Sequence, residues 1–138
     1  MDRAWTTTFE IAWGDCDDAG IVFYPHYYHW MDTAFHRFLR ARGTSHRTII
    51  ERYGVIGLAI GEAHARFTAP MSYDQELTMS LYVAEWRRST FKIEYHGRAH
   101  DGVPVFEGYE TRAFATRDPV TGVLKGADIP GDFKALLS

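Results

Sequence analysis

One segment of this chain repeats with the period of an amphipathic helix, and the apolar face of that helix constrains the fold more than any other feature. The segment begins at Pro25, a residue that suits the first helical position, and it stops at Gly43. Its apolar residues recur at spacings of three and four: Tyr27, Trp30, Met31, Ala34, Phe35, Phe38 and Ala41. We therefore predict a helix of about five turns, whose aromatic stripe a large surface must cover.

Much of the remaining chain alternates with period two, as the strands of an antiparallel sheet do. In the clearest case Leu77, Met79 and Leu81 point one way, while Thr78 and Ser80 point the other. Strands are predicted at residues 5–13, 55–69, 77–84, 91–96 and 105–116.

The order of these elements is one strand, a long helix and then four antiparallel strands, which is an α+β arrangement. Residues 44–53 fit either a short second helix or an irregular segment, and residues 129–137 fit a brief C-terminal helix. The sheet can curl around the long helix and bury its aromatic stripe. A length of 138 residues fits a single domain, 1–138. One helix covers only one sheet face, so a homodimer is expected to protect the other face and the edges.

Composition excludes several classes of function. The formal net charge is −3 and no long basic run is present, so no nucleic-acid partner is expected. No apolar run approaches the roughly 20 residues that span a bilayer, and the first ten residues lack the apolar core of a signal peptide. Cys16 is the single cysteine, which excludes an internal disulfide and favours a cytoplasmic location.

Three carboxylates, Asp15, Asp17 and Asp18, stand seven to ten residues before the long helix. A helix N-terminus carries about half a positive charge and free N–H groups, here around Tyr24. A carboxylate close to that end can attack an acyl carbon or activate water, while backbone donors hold the oxyanion. The alternative is that the acids only solvate the loop and complement the helix dipole. A Ca²⁺ site is a third interpretation, although D-C-D-D lacks the EF-hand spacing and its distal Glu.

Two motifs carry a resemblance to a known family. The stretch GDCDDAGIVFYPHYYHW at residues 14–30 and the stretch EWRRSTF at residues 85–91 resemble the 4-hydroxybenzoyl-CoA thioesterase family of hot-dog fold proteins. The resemblance spans nearly the whole chain. It implies a five-stranded antiparallel sheet wrapped around one central helix, a homodimer or homotetramer, and no cofactor or metal besides the coenzyme A of the substrate.

The resemblance also implies the roles of two residues at the helix start. Asp17 matches the catalytic carboxylate of the family, and the backbone N–H of Tyr24 matches the donor that holds the thioester carbonyl oxygen. Cys16 is expected to be structural. The chain departs from the family at Asp18, where Pro is common, and this extra charge is expected either to raise the pKa of Asp17 or to loosen the loop. Tyr24 replaces a His of related acyl-CoA thioesterases, which favours the aryl-CoA branch.

Further residues are expected to bind the substrate. The resemblance makes Asp32, on the long helix, a candidate contact for an aryl hydroxyl, with Tyr27 and Trp30 as further substrate-binding residues. Asp32 can equally pair with His29 or His36 and do nothing else. These two histidines and Asp32 share one helix face, so a zinc site is a weaker alternative.

The segment between two predicted strands is expected to hold the nucleotide phosphates of coenzyme A. By the resemblance, the binding residues are Arg87, Arg88 and Ser89. A family lysine is replaced by Ser89, which is expected to weaken that contact. The alternative is a surface hairpin with solvated arginines.

These observations predict an acyl-CoA thioester hydrolase that acts on an aryl-CoA such as 4-hydroxybenzoyl-CoA. A non-catalytic module that binds acyl-CoA or acyl carrier protein is one alternative, and a short-chain acyl-CoA thioesterase is another. A hydratase or dehydratase is a further alternative, because such enzymes use an Asp/His pair at the helix start and His26 lies there.

Overall fold

The fold is an antiparallel sheet that packs on one long helix. A computed structural model describes residues 4–138; the expectation about a signal peptide lies partly outside them. In chain order the elements are β1 (Trp5–Glu10), a 3₁₀ helix (Trp13–Asp15), α1 (Pro25–Ala41), α2 (His46–Tyr53), β2 (Gly57–Phe67), β3 (Glu76–Trp86), β4 (Thr90–Ala99), β5 (Pro104–Arg117), β6 (Leu124–Gly126) and α3 (Gly131–Leu137).

The strands form one antiparallel sheet in the order β1-β3-β4-β5-β2, with β6 paired to the end of β5. The predicted α+β architecture of five strands and a central helix is therefore confirmed, and β6 is an addition. The sequence pattern missed β6 because it has only three residues, all of them exposed, so no alternation marks it.

The core lies between α1 and the inner face of the sheet. The side chains that α1 buries are Tyr27, Trp30, Met31, Ala34, Phe35, Phe38 and Leu39. From β3 and β4, the alternate residues Leu77, Met79, Leu81, Phe91, Ile93 and Tyr95 are also buried. The predicted stripe differs at its end, because Ala41 is exposed at the uncovered end of the helix and Leu39 is buried instead.

Two predicted strands are shorter than expected. β1 ends at Glu10, since the chain turns into the 3₁₀ helix three residues later, at Trp13. β2 begins at Gly57, because Gly54 ends α2 in the left-handed conformation, with φ +69°.

Among the long strands of the sheet, the edge strand β2 is the least covered. It pairs with β5 on one side only, and most of its residues are exposed, including Ile60 and Phe67. An exposed edge of 11 residues is a template for pairing with another chain. Among residues 4–138, no helix has the length and apolar character needed to cross a membrane.

Candidate active site

The acidic loop is a tight turn closed by its own backbone. Asp17 N–H donates to Ile21 O at 3.0 Å and Gly20 N–H donates to Asp17 O at 2.9 Å. Gly20 has φ +78°, a conformation that favours glycine. The Asp17 carboxylate accepts a hydrogen bond from Ala19 N–H, 2.9 Å from Oδ1. Asp17 is thus exposed at the tip of the turn, with one carboxylate oxygen oriented by the turn itself.

Asp15 joins this loop to the start of α1. Its Oδ2 accepts a hydrogen bond from Ala12 N–H at 2.8 Å, and its Oδ1 lies 3.4 Å from His26 Nδ1. Its backbone oxygen accepts from Phe23 N–H at 2.8 Å. Three contacts of one residue therefore hold the chain immediately before Tyr24.

The first turn of α1 leaves one backbone donor available. His26 N–H donates to Phe23 O at 3.0 Å and Tyr27 N–H donates to Tyr24 O at 3.1 Å, while Pro25 has no N–H. The Tyr24 N–H has no acceptor among residues 4–138. Of the donors expected around the helix start, Tyr24 is therefore the one that a substrate oxygen can use, at the positive end of the helix dipole.

Two clefts flank this loop. Asp17 and Asp18 line a cleft of about 280 Å³ together with Trp13 and Tyr73, whose rings contact edge to face at 4.7 Å between centroids. Tyr24 lines a separate apolar cleft of about 310 Å³. Within the described part of one chain, the two predicted catalytic residues thus border different clefts on either side of the turn.

The predicted substrate-binding aromatics lie mainly in the core. Tyr27 borders the apolar cleft, but its ring stacks on Phe106 at 5.2 Å, and burial raises the pKa of its hydroxyl to about 12. Trp30 stacks on Phe9 at 5.9 Å and is buried. Direct contact of these two residues with a substrate stays a prediction.

Asp32 contacts an arginine and a histidine side chain. Its Oδ1 lies 3.0 Å from Arg112 Nη2 and 3.5 Å from His36 Nε2. The His36 hydrogen bond and, against the effect of burial, the Arg112 guanidinium hold the pKa of Asp32 well below its usual range. Of the two pairings expected from the sequence, the structure selects His36, and the aryl-hydroxyl contact stays a prediction.

Sequence reasoning missed Arg112 and its neighbour Glu110. Both lie on the inward-facing positions of β5, which also bury Phe114. The signal was present in the sequence, since a charged pair on the apolar face of a strand requires partners. The partner of this charged pair could not be predicted, because Asp32 reaches Arg112 only where α1 crosses β5, and no local sequence pattern shows that crossing.

Arg87, Arg88 and Ser89 form the turn between β3 and β4. Arg87 Nε contacts Glu85 Oε1 at 2.8 Å, and Arg88 Nη1 contacts Asp128 Oδ1 at 2.5 Å. Ser89 contributes its backbone oxygen to Phe114 N–H at 2.9 Å. The two guanidinium groups are exposed and are paired with different segments of the chain.

A cleft of about 380 Å³ lies beside this turn on the outer face of the sheet. Its lining includes Arg87, Lys92 and Tyr109, with the Lys92 Nζ 4.4 Å from the centre of the Tyr109 ring. Ser89 stands where the family has a lysine, and Lys92 follows it three residues later. The cleft therefore carries two cations and two carboxylates, Glu62 and Glu85, and Arg87 is already paired with Glu85.

Neither metal alternative gains support from the side-chain arrangement. In residues 4–138, no group of three or more His, Cys, Asp or Glu side chains is placed to hold a metal ion. On the long helix, Asp32 contacts a guanidinium in addition to His36.

Comparisons with known proteins agree with this architecture. Residues 11–137 match the model of the thioesterase-like superfamily. The 4-hydroxybenzoyl-CoA thioesterase of Pseudomonas sp. (strain CBS-3) is 34% identical over 145 residues, covering all of both chains. Its solved structure has a TM-score of 0.87 at 32% identity, over 97% of this chain and 99% of that one.

Two further solved structures are similar along nearly their whole length. A D17N mutant of 4-hydroxybenzoyl-CoA thioesterase complexed with 4-hydroxybenzoyl-CoA has a TM-score of 0.88 at 32% identity, over 99% of each chain. A gentisyl-coenzyme A thioesterase has a TM-score of 0.79 at 30% identity, over 96% of this chain and 98% of that one. The expected hot-dog fold is confirmed, and the chain belongs to the thioesterase-like superfamily, in the family of the 4-hydroxybenzoyl-CoA thioesterases.

Proposed function

We propose that this protein hydrolyses the thioester bond of an aryl-CoA, with 4-hydroxybenzoyl-CoA as the leading candidate. The observation that carries the proposal is the free Tyr24 N–H at the start of α1, which follows a turn that presents the Asp17 carboxylate. The 4-hydroxybenzoyl-CoA thioesterase relative and the D17N neighbour complexed with 4-hydroxybenzoyl-CoA support the same substrate class.

Asp17 acts on the thioester in one of two ways. As a nucleophile, its carboxylate oxygen adds to the carbonyl carbon, the thiolate of coenzyme A leaves, and water cleaves the resulting anhydride to restore the carboxylate. As a general base, it takes a proton from water, which adds to the carbonyl and expels the thiolate. In both routes Tyr24 N–H donates to the oxygen on which negative charge develops. The thiolate is a good leaving group, so one carboxylate and one dipole are sufficient.

A second copy of the chain completes the site in this proposal. The exposed edge strand β2 offers unpaired backbone groups along 11 residues, which antiparallel pairing with another β2 would satisfy. Such a homodimer, or a homotetramer built from it, would also cover the Tyr24 cleft, which Phe67 of β2 lines. Enclosure matters because a water-excluded site strengthens the electrostatic effect of the helix terminus.

The remaining parts of the proposal concern coenzyme A and the location of the protein. Arg87, Arg88 and Ser89 bind the nucleotide end, with Lys92 supplying a further cation in the cleft beside Arg87. No cofactor is required besides the coenzyme A of the substrate. A cytoplasmic location agrees with the single cysteine.

The decisive experiment is a panel of CoA thioesters assayed by release of free thiol. We expect the highest kcat/KM for hydroxylated aroyl-CoA substrates, lower values for benzoyl-CoA, and the lowest for short aliphatic acyl groups. Higher kcat/KM for short aliphatic thioesters would support the short-chain alternative. Binding of these thioesters without turnover of any of them would support the non-catalytic alternative.

A second candidate function has one specific observation in its favour. Asp15 and His26 form an Asp/His pair at the helix start, with 3.4 Å between Oδ1 and Nδ1. A hydratase uses such a pair to add water across the double bond of an enoyl-CoA. An enoyl-CoA hydration assay, monitored by the decrease in ultraviolet absorbance as the double bond is lost, tests this candidate directly.

A further inference from the structure

The ring of His46, the first residue of α2, packs against the first two residues of β2. Its Nε2 accepts a hydrogen bond from Leu58 N–H at 3.1 Å. Gly57 leaves the space that the ring occupies, since a Cβ atom at this position would lie 3.0 Å from His46 Nε2. Gly57 also has φ +154°, a conformation that residues with a side chain rarely adopt. One backbone donor and one glycine of β2 therefore fit the imidazole of His46.

The hydrogen bond from Leu58 specifies the protonation state of His46 in the folded protein. A backbone N–H group can only donate, so Nε2 carries no proton and the proton of the neutral ring lies on Nδ1. A protonated imidazole donates through both nitrogens, and its Nε2–H would then face the Leu58 N–H, donor against donor. The contact between His46 and Leu58 therefore cannot persist once the ring is protonated.

The charged groups around the ring also oppose its protonation. Three titratable or charged side chains act on His46, namely His36 and Asp32 from α1 and Arg112 from β5, and the two β2 residues that meet the ring have no titratable side chain. Asp32 is the one acid among them, and its Oδ1 already contacts both Arg112 and His36. Burial first, and then the charges of His36 and Arg112, lower the pKa of His46, while Asp32 acts in the opposite direction.

The position of His46 on α2 acts in the same sense. Ser45 caps the start of this helix, where its Oγ accepts a hydrogen bond from Thr48 N–H at 3.1 Å. A helix N-terminus carries about half a positive charge, so a cation in the first turn is unfavourable. A protonated His46 would place a positive charge at this end of the dipole and beside Arg112.

The rest of α2 is held by contacts that do not involve a histidine. Ile49 is buried in the core, and Arg52 Nη2 lies 2.6 Å from Asp132 Oδ2 on α3. These contacts persist in the pH range where histidine side chains titrate. Protonation of His46 therefore opens the contact between the first turn of α2 and the start of β2 and leaves the core packed.

We propose that His46 is a pH-sensitive latch, whose neutral ring holds Gly57 and Leu58 against α2 and whose protonation releases them. The latch is closed at neutral pH and opens as the pH falls through the lowered pKa of His46. It acts on the first residues of β2, so it couples acid pH to the order of the exposed edge strand. This inference does not depend on which reaction the protein catalyses.

Nuclear magnetic resonance of the isotope-labelled full chain, between pH 8 and pH 4.5, tests the latch. At pH 8 we expect His46 Nε2 to be unprotonated and the Leu58 amide to be protected from hydrogen exchange. As His46 becomes protonated, the protection of Leu58 relative to an unstructured chain at the same pH should fall about fivefold or more, the loss of one typical hydrogen bond. A Leu58 amide that keeps its protection while His46 titrates overturns the inference, as does a His46 that stays neutral down to pH 4.5.

A substitution separates the latch from general effects of acid. In His46→Gln the side-chain amide oxygen can still accept from Leu58 N–H, but it does not titrate in this range. We therefore expect Leu58 to keep its protection from pH 8 to pH 4.5 in this variant. His29→Gln changes an exposed histidine of α1 and should keep the pH dependence of the unmodified protein. The same loss of protection in both variants overturns the inference.

If His46→Gln does not fold, as judged by circular dichroism, Gly57→Ala tests the contact from the other side. Its Cβ would displace the His46 ring, so the Leu58 amide should lose protection by about fivefold already at pH 8 and should change little on acidification. Gly61→Ala, on the same strand with no atom nearer than 4.0 Å to the new Cβ, is its control. Equal protection of Leu58 in the two glycine variants at pH 8 overturns the inference.

Discussion

The side chain of Asp15 reaches the first turn of α1, where its Oδ1 lies 3.4 Å from Nδ1 of His26. The same carboxylate accepts a hydrogen bond from Ala12 N–H, so it bridges the 3₁₀ helix and the long helix. Between these two points lies the turn that carries Asp17. The position of the Asp17 carboxylate, which we propose to be catalytic, relative to the helix terminus therefore depends on this bridge.

Loss of the bridge should reduce turnover more than substrate affinity. In His26→Gln we expect kcat to fall about tenfold with little change in KM, since a small displacement of the reacting groups is sufficient for such a loss. Steady-state kinetics on the best aryl-CoA would measure both constants. His29→Gln, which changes an exposed histidine one turn later, should leave kcat unchanged, and an equal loss in both variants would contradict the role of the bridge.

Asp17→Asn should abolish hydrolysis and leave the fold intact. The amide oxygen that this substitution introduces can still accept from Ala19 N–H, so the turn is preserved, but the amide neither attacks a carbonyl nor takes a proton. We expect kcat to fall by about 10²- to 10⁴-fold in the thiol-release assay. Asp18→Asn, beside it in the same cleft, is the matched control and should stay within a few fold of the unmodified protein.

Stability should fall in two separate ranges of acid pH. Burial lowers the pKa of His46 from its ordinary value near 6.5, and its Nε2 accepts a hydrogen bond from Leu58 N–H at 3.1 Å. The folded state therefore binds this proton less tightly than the unfolded state, so the free energy of unfolding decreases as the pH falls below about 6.5.

The second range belongs to Asp32, whose pKa is held below its usual range. The ionised Asp32 stabilises the folded state above about pH 4, and this part of the free energy of unfolding is lost as the pH falls further. Urea unfolding between pH 8 and pH 3 would show both ranges. His46→Gln should weaken the first decrease and leave the second, whereas a profile in His46→Gln identical to that of the unmodified protein would contradict the assignment.

Breaking the buried ion pair should be strongly destabilising. Glu110→Gln leaves the Arg112 guanidinium buried without its nearest carboxylate, and we expect a loss of about 3–5 kcal/mol in the free energy of unfolding. Chemical denaturation followed by tryptophan fluorescence would measure it. Glu107→Gln, on the same strand but exposed, should change stability by less than about 1 kcal/mol.

The edge strand β2 should determine the oligomeric state. Ile60→Lys places a charge on an exposed apolar position of β2, and we expect it to shift the protein from dimers toward monomers with a parallel loss of activity. Sedimentation velocity measures the first effect and thiol release the second. Val120→Lys, in an exposed turn, is the control, and monomers in the unmodified protein at micromolar concentration would refute the role of β2.

Much of the fold could be predicted because its strongest signals are local. The spacing of three and four from Tyr27 to Phe38 follows from one helix burying one face, and the alternation from Leu77 to Leu81 follows from a sheet with one buried face. The loop motif around Asp17 also depends on residues close in sequence, so the resemblance to a family was visible there. Short elements without a pattern were not predicted. One example is β6, whose three exposed residues show no alternation of apolar and polar side chains.

The amino-acid sequence by itself determined the sheet around one helix, the family, and the residues Asp17 and Tyr24 as candidates, since each depends on short-range spacing. Only the tertiary structure decided which groups meet across long separations. In the folded chain, Arg112 on β5 donates a hydrogen bond to one carboxylate oxygen of Asp32 on α1, 80 residues away in sequence. Such a contact arises from the crossing of a helix over a strand, and the burial that makes it strong exists only once both are packed.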